Sequence, residues 1–236
     1  MALIDNIVAY YKMQGNSNDS VASNNGTDAA GIVYDATYGK IDQGVQAGTA
    51  GTSKVNVPSG TYAIVSGAAP TFTISGWIKF TGSFAGGSNG LEIFTIKVGA
   101  SIRCALWMSE DSSAPNGRLH ILMRNTAGTL QENIQAVNRA TATYFHFAVT
   151  YTGGVYQAYI DGSTANSISA TIQNATANDG YIYHRSTGSP VTPQGDEIGF
   201  WSRALSAAEI TELYNGGAGL QYPFGAGANS NFFAFM

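Results

Sequence analysis

Chemistry in this chain has to come from fifteen carboxylates, three histidines and one cysteine spread over 236 residues. Carboxylates adjoin at Glu110-Asp111 and at Asp196-Glu197. Glycoside cleavage needs two carboxyl groups flanking one bond. Neighbours along a strand point to opposite faces, so each pair is expected to be solvated loop surface rather than an acid and a nucleophile. His120, His146 and His184 fall in separate segments without a G-x-S-x-G elbow, and read as hydrogen-bonded sheet residues. Cys104 lies in an apolar run and reads as a small buried hydrophobe. H-E-x-x-H, C-x-x-C, EF-hand and glycine-rich phosphate loops are missing, which argues against zinc hydrolysis and nucleotide binding. The expectation is a protein that is not an enzyme.

Non-covalent recognition remains. A sugar site needs an aromatic plate for the C–H face of the ring and a few amides, carboxylates or guanidinium groups for its hydroxyls. Trp107, Glu110, Asn116, Arg118, His184 and Arg185 supply those types. They come from the middle of the chain and from stretches 109–117 and 184–194, which are rich in Gly, Ser and Pro and are expected to be long loops at one rim. The competing reading is that Trp77, Trp107 and Trp201, all in apolar segments, belong to the core.

The elements that must position these residues are short strands. Strand signals fall at 7–13, 53–57, 72–80, 91–98, 102–109, 118–125, 144–152 and 155–161, and more weakly at 167–172, 180–184 and 197–202. Eleven such segments with one helix predict an all-β, two-sheet antiparallel sandwich. Phe72, Ile74, Gly76, Ile78 and Phe80 share one face, as do Phe145, Phe147, Val149 and Tyr151, and these faces are the predicted core. Thr152-Gly153-Gly154 reads as a hairpin turn. Ser206 and Glu209 form an S-x-x-E capping box, Ile210, Leu213 and Tyr214 give a helical stripe, and Gly216-Gly217 are expected to close it.

Charged residues make up only 11% and the net charge is −4, so the basic footprint of a nucleic-acid binder is absent. One cysteine excludes an intramolecular disulfide. The start, Met-Ala-Leu-Ile-Asp-Asn, lacks the pattern of a signal peptide and no apolar run is long enough to span a membrane. Synthesis in the cytoplasm without membrane insertion is therefore expected, with the glycosylation triplets at Asn18, Asn25 and Asn174 incidental. No repeat divides the chain, and the expected organisation is one sandwich over 1–224 and a tail over 225–236. The tail places Phe232, Phe233 and Phe235 on a glycine-rich tether, to fold back on the sandwich or dock into a neighbouring chain.

Several segments, in order, resemble laminin-G-like jelly-roll domains of the concanavalin A-like lectin and glucanase superfamily. Residues 195–222 resemble the family's closing W-x-R-A-L-S-x-x-E-I and Y-N-x-G pattern. Residues 7–13 with Asp19-Ser20 and Asn24-Asn25-Gly26-Thr27 resemble its opening strand and loop, and Gly39-Lys40-Ile41 fits the next loop. Residues 72–79 resemble its F-T-I-S-x-W-I-K strand, and 144–151 with Tyr159-Ile160-Asp161-Gly162 its Y-V-D-G hairpin. The resemblance implies a concanavalin A-like jelly roll. The E-x-D-x-x-E arrangement of the family's glycanases is absent. Asp19, Asn24, Asn25 and Asp196 match positions where such domains hold a structural calcium ion, the alternative being Asx-turns without metal. Similarity to stand-alone phage proteins of this kind implies a non-catalytic virion surface protein, in capsid decoration or tail adhesion. Its expected partners are host glycans or other virion proteins, and its expected state a homo-oligomer. A glycoside hydrolase of the same fold and a purely structural capsid cement are the alternatives.

Overall fold

The two alternating stretches form the middle of a sheet. In a computed structural model, which describes residues 1–48, 52–82, 91–111, 114–134, 140–185, 189 and 191–224, with backbone alone at 109–111 and 114–116, Phe145 pairs with Ile78 and the antiparallel register runs on to Tyr151 with Phe72. In chain order the strands are β1 (Ile7–Tyr11), β2 (Thr27–Asp28), β3 (Ile32–Asp35), β4 (Gly44–Ala47), β5 (Val55–Asn56), β6 (Phe72–Gly82), β7 (Leu91–Val98) and β8 (Ser101–Asp111). They continue with β9 (Ala114–Arg124), β10 (Leu130–Ile134), β11 (Phe145–Thr152), β12 (Val155–Ile160), β13 (Ser163–Ser169), β14 (Asp179–Arg185) and β15 (Val191–Trp201). Helices are α1 (Ser59–Tyr62) and α2 (Ala207–Tyr214).

Eight strands form one sheet, in the order β13-β12-β11-β6-β15-β4-β3 with β1 paired to β15 beside that path. Seven form the other, in the order β10-β9-β8-β7-β14-β5-β2. Side chains from both sheets meet in one core, Phe72, Ile74, Ile78 and Phe147 on one side and Phe94, Cys104, Leu106 and Ile121 on the other. Cys104 is a buried free thiol whose ionisation burial pushes up to about 12, which leaves it inert.

The two outer faces differ. On the eight-stranded sheet the polar alternates Thr73, Ser75, His146 and Thr150 are buried as well. They are covered because a second apolar cluster, with Leu3, Tyr10, Trp201, Ile210, Leu213 and Phe224, packs the first residues of the chain, α2 and the stretch up to Phe224 over that face. The helix begins as its sequence predicts: Ser206 accepts from Glu209 N–H and Glu209 reaches back to Ser206 N–H. Its left-handed closure is taken by Asn215 at φ 48° and Gly216 at φ 59°, one residue earlier than expected. The hairpin turn at Gly153 and Gly154 has φ 57° and 82°, as its sequence requires. The stretch 109–117, expected to be a loop, mostly continues β8 and β9 as a longer hairpin, and β15 begins at Val191. Strands β2, β3, β4 and β10 carry no clear apolar alternation and were not predicted. No helix among the described residues is long and apolar enough to cross a membrane.

Candidate functional site

On the outer face of the seven-stranded sheet, strand register lines up polar and aromatic side chains from four neighbouring strands. His184 on β14 pairs with Glu92 on β7, Glu92 with Trp107 on β8, and Trp107 with His120 on β9. A second row runs through Tyr181, Thr95, Ala105 and Leu122. Core residues Phe94, Leu106, Ile121 and Ile182 lie between the rows, so both rows face outward. On β8 and β9 the rows are two residues apart, as a regular pleat requires. On β7 and β14 they are three apart. The additional residues are Ile93, at a register shift between Glu92 and Phe94, and Tyr183, at φ 53°. A bulge re-aims the side chains beyond it. Without these two bulges, Tyr181 and His184 would lie on opposite faces.

Glu92 is the hub. It accepts hydrogen bonds from Tyr181 Oη at 2.7 Å and from Thr95 Oγ1, and its Oε1 lies 2.9 Å from His184 Nδ1. Burial alone would raise its pKa, but the bonds from His184, Thr95 and Tyr181 outweigh burial and hold it below the usual glutamate value. It therefore stands as a carboxylate. Tyr181 is pushed up, first by burial and then by the Glu92 charge, so its hydroxyl stays a donor. Trp107 Nε1–H donates to Thr95 Oγ1 at 3.0 Å, which fixes the indole while leaving it partly exposed. His120 Nδ1 lies 2.7 Å from Glu132 Oε1. A braced indole beside a fixed carboxylate and two imidazoles is suited to holding a polyol, with the ring face against carbon and the polar groups to hydroxyls.

Of the residues predicted for a sugar site, Trp107, Arg118 and His184 share this face. Arg118 lies two residues from His120, opposite Ser109. Arg185 is directed elsewhere, its Nε and Nη2 both donating to Ser189 O. The side chains of Glu110 and Asn116 lie outside the described residues, as do Phe232, Phe233 and Phe235. Glu92, Thr95 and Tyr181 escaped the sequence reading, since nothing in type or spacing ties residues 92 and 181 together. All three tryptophans had a competing core reading, and it holds for Trp77 and Trp201, at 3% and 1% exposure.

A family model described as the concanavalin A-like lectin/glucanases superfamily, of the third laminin G type, matches residues 48–211. The chain belongs to this superfamily. Among solved structures, this laminin-G-like domain is similar to the binding domain of Paraclostridial Mosquitocidal Protein 1, at TM-score 0.70 and 16% identity, covering 89% of this chain and 52% of that one. It is similar to the botulinum neurotoxin serotype D binding domain, at TM-score 0.70 and 14% identity, covering 90% and 52%. The binding domain of botulinum neurotoxin DC in complex with rat synaptotagmin II gives TM-score 0.69 and 14% identity, covering 89% and 51%. The domain thus spans about half the length of these structures, and the likeness is one of fold. No curated protein sequence matches the chain.

The calcium positions that the resemblance implied divide into two places. Asp19 Oδ1 accepts from Tyr10 and Val21 N–H, and Oδ2 from Ala22 and Asn24 N–H. Asn25 Oδ1 accepts from Asp19 N–H, while Asn24 Nδ2 donates to Val8 O. Backbone donors reach both oxygens of Asp19, which is the hydrogen-bond pattern of a set of Asx-turns. Asp196 stands on β15, where its Oδ2 accepts from Lys40 and Ile41 N–H at 2.7 Å each. The expectation of a solvated Asp196-Glu197 pair on opposite faces is overturned. Both are buried, at 0% and 3% exposure. Glu197 sits at φ 50° where the register shifts between Asp196 and Gly199, so both carboxylates fall between inward-facing Gly195 and Ile198. Asp196 Oδ1 and Glu197 Oε2 have no hydrogen-bond partner. Burial and the neighbouring Glu197 charge push Asp196 up to about 9, and burial pushes Glu197 up to about 7. Among the described residues no group of three His, Cys, Asp or Glu converges.

Proposed function

We propose that this domain is a non-catalytic recognition module that binds a glycan on the outer face of its seven-stranded sheet. One observation carries the reading: the register-aligned row His184, Glu92, Trp107 and His120, with a braced and partly exposed indole at its centre. Binding domains of the same fold, one with synaptotagmin and another with SialylT, support recognition as a use of this architecture. Catalysis by a carboxylate pair finds little support. Glu92 on β7 and Glu132 on β10 are separated by three strand spacings, about 14 Å, against the ~5–9.5 Å that glycoside hydrolysis uses. The proposed setting is a virion surface, as decoration or adhesin, supported by a composition low in charge and rich in Gly, Thr and Asn.

A glycan array probed with the purified chain tests this reading. Binding to a defined sugar class, weakened at least ten-fold by Trp107→Ala at unchanged melting temperature, is expected. An array without binders, or one whose binders ignore Trp107→Ala, rejects it.

A further inference from the structure

One buried hydroxyl stands between the indole and the carboxylate of the row. Thr95 on β7 pairs with Ala105 on β8 and with Tyr181 on β14, and it is 0% exposed although it faces outward. Trp107 lies two residues from Ala105 on the same face, a diagonal that a long aromatic side chain spans. Its Nε1 meets Thr95 Oγ1 at 3.0 Å, so the indole leans back along β8 past the methyl of Ala105, which is fully buried there. Thr95 Oγ1 in turn meets Glu92 Oε2, the oxygen that also accepts from Tyr181. Residue type fixes the direction of these bonds. An indole N–H only donates and a carboxylate only accepts, so the single hydroxyl hydrogen goes to Glu92 and a lone pair faces Trp107. Each bond polarises the other.

We infer that Thr95 is the positioning residue of the Trp107 plate: its hydroxyl, oriented by Glu92, holds the indole at one angle to the sheet. The use of that angle in recognition rests on the glycan reading above, whereas the angle itself does not. Thr95→Val replaces the hydroxyl by a methyl, which takes the acceptor from the indole N–H and one donor from Glu92. Thr95→Ser keeps the oxygen. An indole that is not pinned has to be ordered when a ligand arrives, and that ordering is subtracted from affinity.

The test is a proton–nitrogen correlation spectrum of the labelled full chain, with the Trp107 indole signal assigned by its loss in Trp107→Phe. In Thr95→Val that signal is expected to move to the position of a weaker hydrogen bond, and its proton to exchange with water about ten-fold faster. The Trp201 indole, which donates to Leu3 O at 2.7 Å, should stay in place and report an intact fold. Thr95→Ser should restore the parent signal. Glycans bound by the parent chain should lose up to about ten-fold in affinity with Thr95→Val and recover it with Thr95→Ser. If the valine variant does not fold, Thr95→Ala removes the same hydroxyl and gives the same readout. A Trp107 signal unmoved in the folded variant, or a moved signal with affinity unchanged, overturns the inference and leaves the glycan reading standing. An array without any binder overturns the glycan reading, and the indole signal then decides the inference by itself.

Discussion

At the level of single residues, burial pushes Asp196 and Glu197 toward their protonated forms, Asp196 further than Glu197. In the unfolded chain both ionise near about pH 4, whereas in the folded domain they titrate near about 9 and about 7. Folding therefore takes up protons, and stability that is complete below about pH 4 declines as the pH rises through about 7 and then 9. Asp196→Asn keeps an acceptor for Lys40 and Ile41 N–H and removes the ionisation. It is expected to raise the melting temperature at pH 8 by at least about 3 °C and to leave it unchanged at pH 4; scanning calorimetry at the two pH values decides, and a loss of stability at pH 8 contradicts the account. A calcium ion held by these two carboxylates, as the resemblance implied for Asp196, would relieve the same penalty. Calcium should therefore raise the parent's melting temperature at pH 8 and not that of Asp196→Asn, while equal melting in calcium and in chelator rejects the ion.

Among the elements, α2 shows how much a short helix depends on its ends. Its eight residues are marginal alone. It is held by the Ile210 and Leu213 contacts and by Glu209, which serves both the capping box and Arg203 at 2.7 Å. Arg203 also donates to Asp5 O and Ala2 O, so the same guanidinium fastens the first turn of the chain. Ser206→Ala should cost about 1 kcal/mol. Glu209→Ala should cost more, about 2 kcal/mol, because it leaves a buried guanidinium short of its carboxylate; urea denaturation that ranks the two in the other order would refute this assignment. This helix was legible because capping is local. The strand β15 that precedes it was only half legible. Alternation places Asp196 and Glu197 on opposite faces, and the bulge at Glu197, which has no signature in residue type, cancels that rule. The same holds at Ile93 and Tyr183, whose bulges assemble Glu92, Tyr181 and His184.

Across the whole molecule the two sheets serve different purposes. The eight-stranded sheet is covered on both faces, by the core and by the first residues of the chain with α2 and residues 220–224. The seven-stranded sheet has one face in the core and carries on the other the Glu92 network, in which Trp107 stays partly exposed. The tail belongs to this scale too. Deleting residues 232–236 should leave the sandwich folded and shift any assembly to smaller species in light scattering, whereas an insoluble product would mean that the tail completes the domain. From the sequence alone, the all-β sandwich, the faces of β6 and β11, the hairpin at Gly153-Gly154 and the capped helix all followed, because each depends on contacts or preferences within a few residues. The tertiary structure alone decided which tryptophan stays exposed, which carboxylates are buried, and that Glu92 meets residues 89 and 92 positions away. Such meetings depend on strand order and on bulges that shift register by one residue, and both are settled by the packing of the whole sheet.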